Sequence, residues 1–135
     1  MAKTVESIEG IGPVNGKKLR NCGCSSVSKL LEMGATRAGR RRLAKESGLN
    51  DKLILKAVNQ ADLFRIKGIA TQYAELLEAA GVDTVKELRK RKPESLTAKL
   101  LQVNEQKKLV RQTPALSMVN DWVAQAKKLK PVVSY

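Results

Sequence analysis

Apolar positions recur at helical spacing along nearly the whole chain, and no stretch alternates in the way a half-buried strand would. Thr4 to about Glu9 reads as a short opening helix or turn, and Gly10-Ile11-Gly12 as a hairpin. Pro13 fits the first turn of the helix that follows, where its missing N–H costs nothing. That helix carries Val14, Lys17, Lys18 and Leu19, with Gly23 as a left-handed cap at its end. Ser25 or Ser26 caps a short helix through Leu30, Leu31 and Met33, closed by Gly34. Thr36 opens a helix that runs to Ser47 and stops at Gly48. Asn50 or Asp51 caps the next, whose Leu53, Ile54, Ala57, Val58 and Ala61 form one apolar stripe.

The second half follows the same pattern. A linking helix near Ala61–Arg65 leads into Lys67-Gly68-Ile69-Ala70, and Thr71 caps a helix with Tyr73, Ala74, Leu76 and Leu77 that closes at Gly81. Asp83 or Thr84 caps the helix of Val85 and Leu88, Pro93 starts another through Val103, and Pro114 opens the last, which ends near Leu129. The likeness is position by position. Ile8, Gly10, Ile11, Leu19, Gly23, Val27 and Leu30 each have a counterpart 58 residues on, at Ile66, Gly68, Ile69, Leu77, Gly81, Val85 and Leu88. An ungapped internal match of this kind implies duplicated structure.

Charge changes the picture next. The 135 residues carry 26 Lys/Arg against 13 Asp/Glu, a formal net charge of +13. Residues 1–64 contribute +6 and residues 65–135 contribute +7, so the charge belongs to the folded body. A positive field of this size favours anionic partners, nucleic acid above all. A solubilising surface or an acidic protein partner accounts for it as well. No apolar run approaches the roughly 20 residues that span a membrane, and the start lacks the apolar core of a signal peptide, so a cytoplasmic protein is expected.

The two cysteines, Cys22 and Cys24, are too few for a disulfide framework or a four-ligand metal site. They align with Ala80 and Val82 and read as small buried apolar residues. The absence of His removes the usual general base and metal ligand. No P-loop or carboxylate pair stands out. No catalytic residue, metal or cofactor is expected, nor a small-molecule substrate, and the chain reads as a non-enzyme.

In both halves the motif is apolar-x-Gly-apolar-small followed by a helix. Gly lets the backbone turn tightly and approach an anion. The helix that follows offers free N–H groups and the positive end of its dipole. These residues resemble the helix-hairpin-helix superfamily, through Ile8, Gly10, Ile11, Gly12 and Leu19, then Ile66, Gly68, Ile69, Ala74 and Leu77. More closely, nearly the whole chain resembles a bacterial family of tandem helix-hairpin-helix repeats, the domain of unknown function 4332 family. The stretches that carry this likeness are Gly34-Ala35-Thr36, residues 61–69, residues 73–82 and residues 104–111. The resemblance implies an all-α fold of two tandem helix-hairpin-helix (SAM-like) repeats packed as one compact helical body. The first repeat would span 1–64 and the second 65–130, with a flexible tail at 131–135. It also implies sequence-independent binding of duplex DNA through phosphates, usually across the minor groove, although some superfamily members bind only proteins. A DNA-binding protein of this kind would be nucleoid-associated.

The first hairpin is the stronger candidate. Gly10, Ile11, Gly12 and Gly16 would bring backbone N–H groups to a phosphate, and Lys17, Lys18 and Arg20 would add charge. In the second, Gly68 is kept but Ala70 replaces the second Gly, and Glu75 and Glu78 stand where the first has Lys17 and Arg20. Arg37, Arg40, Arg41 and Lys45 fall on one side of one predicted helix, with Arg42 beside them. A second cluster comprises Lys86, Arg89, Lys90, Arg91 and Lys92, and a third Lys107, Lys108 and Arg111. A charge run is ordinarily a solvated face, yet several such patches could track a phosphate backbone. Single-strand binders stack bases on exposed aromatics, and aromatics are 3% here, so duplex is the expected partner. The competing expectation is a protein-interaction module that docks an acidic partner.

Overall fold

The helical spacing is realised as eight α-helices among the residues that the computed structural model describes, residues 4–8 and 10–135. Among the described residues a 3-10 turn, Val5–Ser7, comes first, and Thr4 pairs with Ser26 in an isolated antiparallel bridge. The expected opening turn reaches Glu9, which lies outside the described residues. The helices are α1 (Gly12–Asn21), α2 (Val27–Gly34), α3 (Arg37–Ser47), α4 (Asp51–Leu63), α5 (Thr71–Ala79), α6 (Val85–Leu88), α7 (Pro93–Lys107) and α8 (Leu116–Lys128). Among the described residues no helix is long and apolar enough to cross a membrane.

Side-chain caps fix where four of these begin. Ser26 accepts from the Lys29 N–H, Thr36 from Gly39 and Thr84 from Glu87, each at 3.1–3.2 Å. Asn50, not Asp51, caps α4, its Oδ1 accepting from the Lys52 N–H at 2.7 Å. Two expectations shift. Thr71 is the first helical residue of α5 and extended Ala70 takes the cap position without a side-chain bond. The expected linking helix near Ala61–Arg65 is the last turn of α4, followed by a turn closed by the Ile66 N–H on Leu63 O at 3.1 Å.

The chain divides into two compact units, Met1–Asp62 with Val132–Tyr135, and Leu63–Pro131. In the first, α3 packs against α1 and α2, and the opening turn packs against the same two helices. Val5, Ile8, Leu19, Leu30, Leu43, Ile54 and Val58 are fully buried there. Gly34 lies against the Val58 methyl group, where any Cβ would collide. In the second unit α8 packs on α6 and α7, and α5 on α7, around Leu77, Leu88, Leu96, Leu100 and Trp122.

Residues 131–135 read as a flexible tail, but the last four belong to the first unit. The Ser134 N–H donates to Ala35 O at 2.8 Å, its carbonyl accepts from Arg40 Nη2 at 2.6 Å, and Val133 is buried. A buried guanidinium needs acceptors, and this segment supplies one.

Local hydrogen bonds recur at the 58-residue spacing. Ile11 N–H bonds Ile8 O, and Ile69 bonds Ile66. Cys24 N–H bonds Leu19 O, and Val82 bonds Leu77. Gly23 N–H bonds Arg20 O, and Gly81 bonds Glu78. Leu30 N–H bonds Ser26 O, and Leu88 bonds Thr84. The apolar residues matched at this spacing, from Ile8 and Ile66 to Leu30 and Leu88, are buried in both units. Identical bonding needs identical dihedrals, so Gly10 and Gly68 share a positive φ (90° and 97°), as do Gly23 and Gly81.

Candidate nucleic-acid interface

The first turn is anchored from within and open outside. Ile8 and Ile11 are buried, so each pins the backbone at its own position to the core. Gly10 and Gly12 are exposed with φ of +90° and +65°, and nothing lies within 4 Å of where a Cβ would stand on either. A side chain at these positions would strain the backbone rather than clash. Helix α1 then starts at Gly12 with Pro13 in its first turn and no side-chain cap. Its first-turn amides lack a capping oxygen of the kind that Ser26, Thr36 and Thr84 provide elsewhere. Lys17 and Lys18 are exposed on the same helix.

Three residues expected at this contact have other work. Ile11 points inward and its N–H is taken by Ile8 O at 3.2 Å. Gly16 is buried with the Glu6 side chain against its backbone, which makes it a packing position. Arg20 is held by Glu6, with Nε on Oε2 at 3.0 Å and Nη2 on Oε1 at 2.7 Å. That guanidinium brings the Glu6 carboxyl from its ordinary 4.5 down to about 2. Arg20 thus secures the opening turn to α1 and does not stand free for a phosphate.

The second turn is closed. Gln125 of α8 reaches the backbone of Lys67 with both ends of its amide. Its Oε1 accepts the Lys67 N–H at 2.8 Å, and its Nε2 donates to Lys67 O at 3.1 Å. Asp121 Oδ2 accepts from the same Nε2 at 2.8 Å and holds the amide in place. Trp122 Nε1 lies 3.0 Å from where a Gly68 Cβ would stand. Ala70 is exposed but extended, at φ −103°, unlike Gly12. Lys18 is exposed on α1, whereas Leu76, 58 residues on, is fully buried. Glu75 and Glu78 are half-buried. The short motif around Gly68 carries no sign of Gln125, which lies 58 residues beyond Lys67.

The basic helix α3 divides. Arg37, Arg41, Arg42 and Lys45 are exposed, but Arg40 is buried and does not join them. Its Nη1 donates to Gly34 O and Ala35 O at 3.0 and 3.1 Å, its Nη2 donates to Ser134 O, and its guanidinium lies 5.6 Å from the Tyr135 ring centroid. Desolvation lowers its pKa. A cleft of about 340 Å³ opens beside it, lined by Arg37, Arg40, Arg41, Asp51, Leu55 and Tyr135.

In the second cluster Lys86, Lys90 and Lys92 are exposed and Arg89 is half-buried. Arg91 is drawn back by Glu87 at 3.0 Å and by Gly81 O at 3.2 Å. Lys107, Lys108 and Arg111 are exposed. Cys24 is fully buried, and burial pushes its thiol up to about 11. Cys22 is half-buried and donates to Lys18 O at 3.3 Å.

No curated protein and no solved structure matches the chain. A family model described as "Domain of unknown function (DUF4332)" matches residues 9–129, which takes in all eight helices and leaves out residues 1–8 and 130–135. With nine-tenths of its length covered, in agreement with the resemblance carried by residues 61–69, 73–82 and 104–111, the chain belongs to the DUF4332 family.

Proposed function

We propose that this chain is a tandem helix-hairpin-helix protein that binds duplex DNA without reading its sequence and without catalysis, in the bacterial cytoplasm at the nucleoid. The recurrence of hydrogen bonds and positive-φ glycines 58 residues apart supports the tandem repeat. The observation that carries the binding reading is the contrast between the two turns. The first has two exposed, positive-φ glycines with Lys17 and Lys18 beyond them, at a helix start that, like that of α5, has no side-chain cap. Such a helix start is suited to a phosphate oxygen. The second has its Lys67 amide occupied by Gln125. On this reading the first turn meets the phosphates and the second is a structural counterpart. Exposed Lys and Arg of α3, α6 and α7 would extend the positive field.

The test is fluorescence anisotropy with a short duplex of random sequence. Affinity should fall roughly a thousandfold or more between 50 and 200 mM salt if six or more phosphates are neutralised. Gly12→Asp and the double variant Lys17→Glu/Lys18→Glu should each lose about tenfold or more while remaining folded. Undiminished binding in both removes the turn from the site. Absence of binding at 50 mM salt rejects the DNA reading. One observation favours a second reading, an acidic protein partner: Val14, two residues after Gly12, is an apolar side chain 69% exposed that a phosphate would not use.

A further inference from the structure

The cleft beside α3 combines features that a continuous run of duplex phosphates would not need. At about 340 Å³ it falls in the size range of ligand pockets, roughly 300–1,000 Å³. Arg37 and Arg41 are one helical turn apart, at i and i+4, so both side chains leave the same face of α3. Both are exposed, and among the described residues neither has an ion-pair partner. Arg40 supplies a fixed wall, since three backbone carbonyls hold its guanidinium. The Tyr135 ring is also held. Its hydroxyl donates to Asn59 Oδ1 at 3.0 Å and Arg40 lies over the ring, yet the residue remains 65% exposed. Leu55 adds an apolar surface and Asp51 a carboxylate.

We propose that this cleft binds one nucleoside monophosphate unit. The phosphate sits on Arg37 and Arg41, whose forked guanidinium groups match its oxygens. The base lies against the Tyr135 ring and Leu55, a sequence-tolerant platform because every base has a π-face. Asp51 accepts a hydrogen bond from an amino or hydroxyl group of the nucleoside. The unit can be a free nucleotide or the phosphorylated end of a strand, which share this chemistry. The assignment does not rest on the duplex reading, because the site is separate from the Gly10–Gly12 turn.

The experiment titrates the full chain with dAMP, with deoxyadenosine and inorganic phosphate as controls, by isothermal calorimetry. A second arm compares a duplex carrying a one-nucleotide 5′-phosphorylated overhang with the same duplex lacking that phosphate. Arg41→Ala is the informative variant, since Arg41 is exposed and its truncation spares the fold, whereas Arg40 is structural. The expected result is dAMP binding about tenfold or more tighter than either control, or the same preference for the phosphorylated overhang, lost in Arg41→Ala and in Tyr135→Ala. Preference in the first arm identifies a free nucleotide, and in the second arm alone a strand end. The proposal is overturned if neither arm shows a preference, or if Arg41→Ala leaves the preference intact. Binding of a blunt, unphosphorylated duplex reports on the turn and the wider positive field, whereas the preference for the 5′-phosphate reports on the cleft, so the two readings fail separately.

Discussion

Single residues decide whether a charge on this chain is available or committed. Arg40 has the helical spacing of a cationic stripe with Arg37 and Arg41, and that spacing is all the local sequence offers. What buries it is a carbonyl 94 positions away, Ser134 O, together with the end of α2. Arg20 is a similar case, turned from a ligand contact into a brace by Glu6, 14 positions earlier. The Glu6 pairing has a measurable sign. A carboxyl depressed in the folded state binds fewer protons there than in the unfolded chain. Its stabilisation is therefore complete above the ordinary value of 4.5 and is lost as pH falls toward about 2. Asp83 works in the opposite direction, since burial raises its carboxyl, but it is common to wild type and a Glu6 variant. Melting temperatures from circular dichroism should fall more steeply between pH 4.5 and 2 for the wild type than for Glu6→Gln. Parallel curves would mean that the ion pair contributes no pH-dependent stability.

At the scale of the element, helix ends were legible where glycine marks them and opaque where it does not. Helix α3 stops at Gly48, left-handed at φ 76°, its N–H returning to Ala44 O at 2.9 Å. Helix α7 ends the same way at Lys108, φ 49°, its N–H on Asn104 O at 2.8 Å, and no glycine announces it. Asn104 helps to hold that end. Its side chain accepts from Val110 N–H and donates to Val110 O, both at 3.0 Å. Lys108 is the one described non-glycine residue with positive φ. A left-handed conformation costs an L-residue about 1–2 kcal/mol, part of which glycine returns as lost backbone entropy. Urea denaturation should therefore show Lys108→Gly gaining about 0.5–1 kcal/mol and Gly48→Ala losing about 1 kcal/mol. Equal and opposite strain at two equivalent caps is the claim, and a loss of stability in Lys108→Gly would refute it.

Across the whole molecule, what the sequence reveals follows the range of the interactions involved. The 58-residue recurrence is legible because its bonds run between residues three to five apart, such as Ile11 to Ile8 and Cys24 to Leu19, so local identity implies local geometry. The closure of the second turn is not, because Gln125 and Trp122 come from a helix that the motif does not contain. Charge is the property read best from composition and least from any one residue. Described ion pairs such as Arg20–Glu6, Lys29–Glu32 and Arg91–Glu87 are partly exposed, and pairs of that kind are worth little. The net +13 therefore acts mainly as self-repulsion, which opposes the compact state. Sodium chloride shortens the screening length, to about 10 Å at 0.1 M, and weakens that repulsion before it weakens close pairs. The melting temperature should rise with salt, by about 3–5 °C for each kcal/mol of repulsion removed. A fall instead would mean that the ion pairs outweigh the net charge. With a rise, the same repulsion becomes a reason for the chain to seek an anionic partner, and saturating duplex at low salt should raise the melting temperature further.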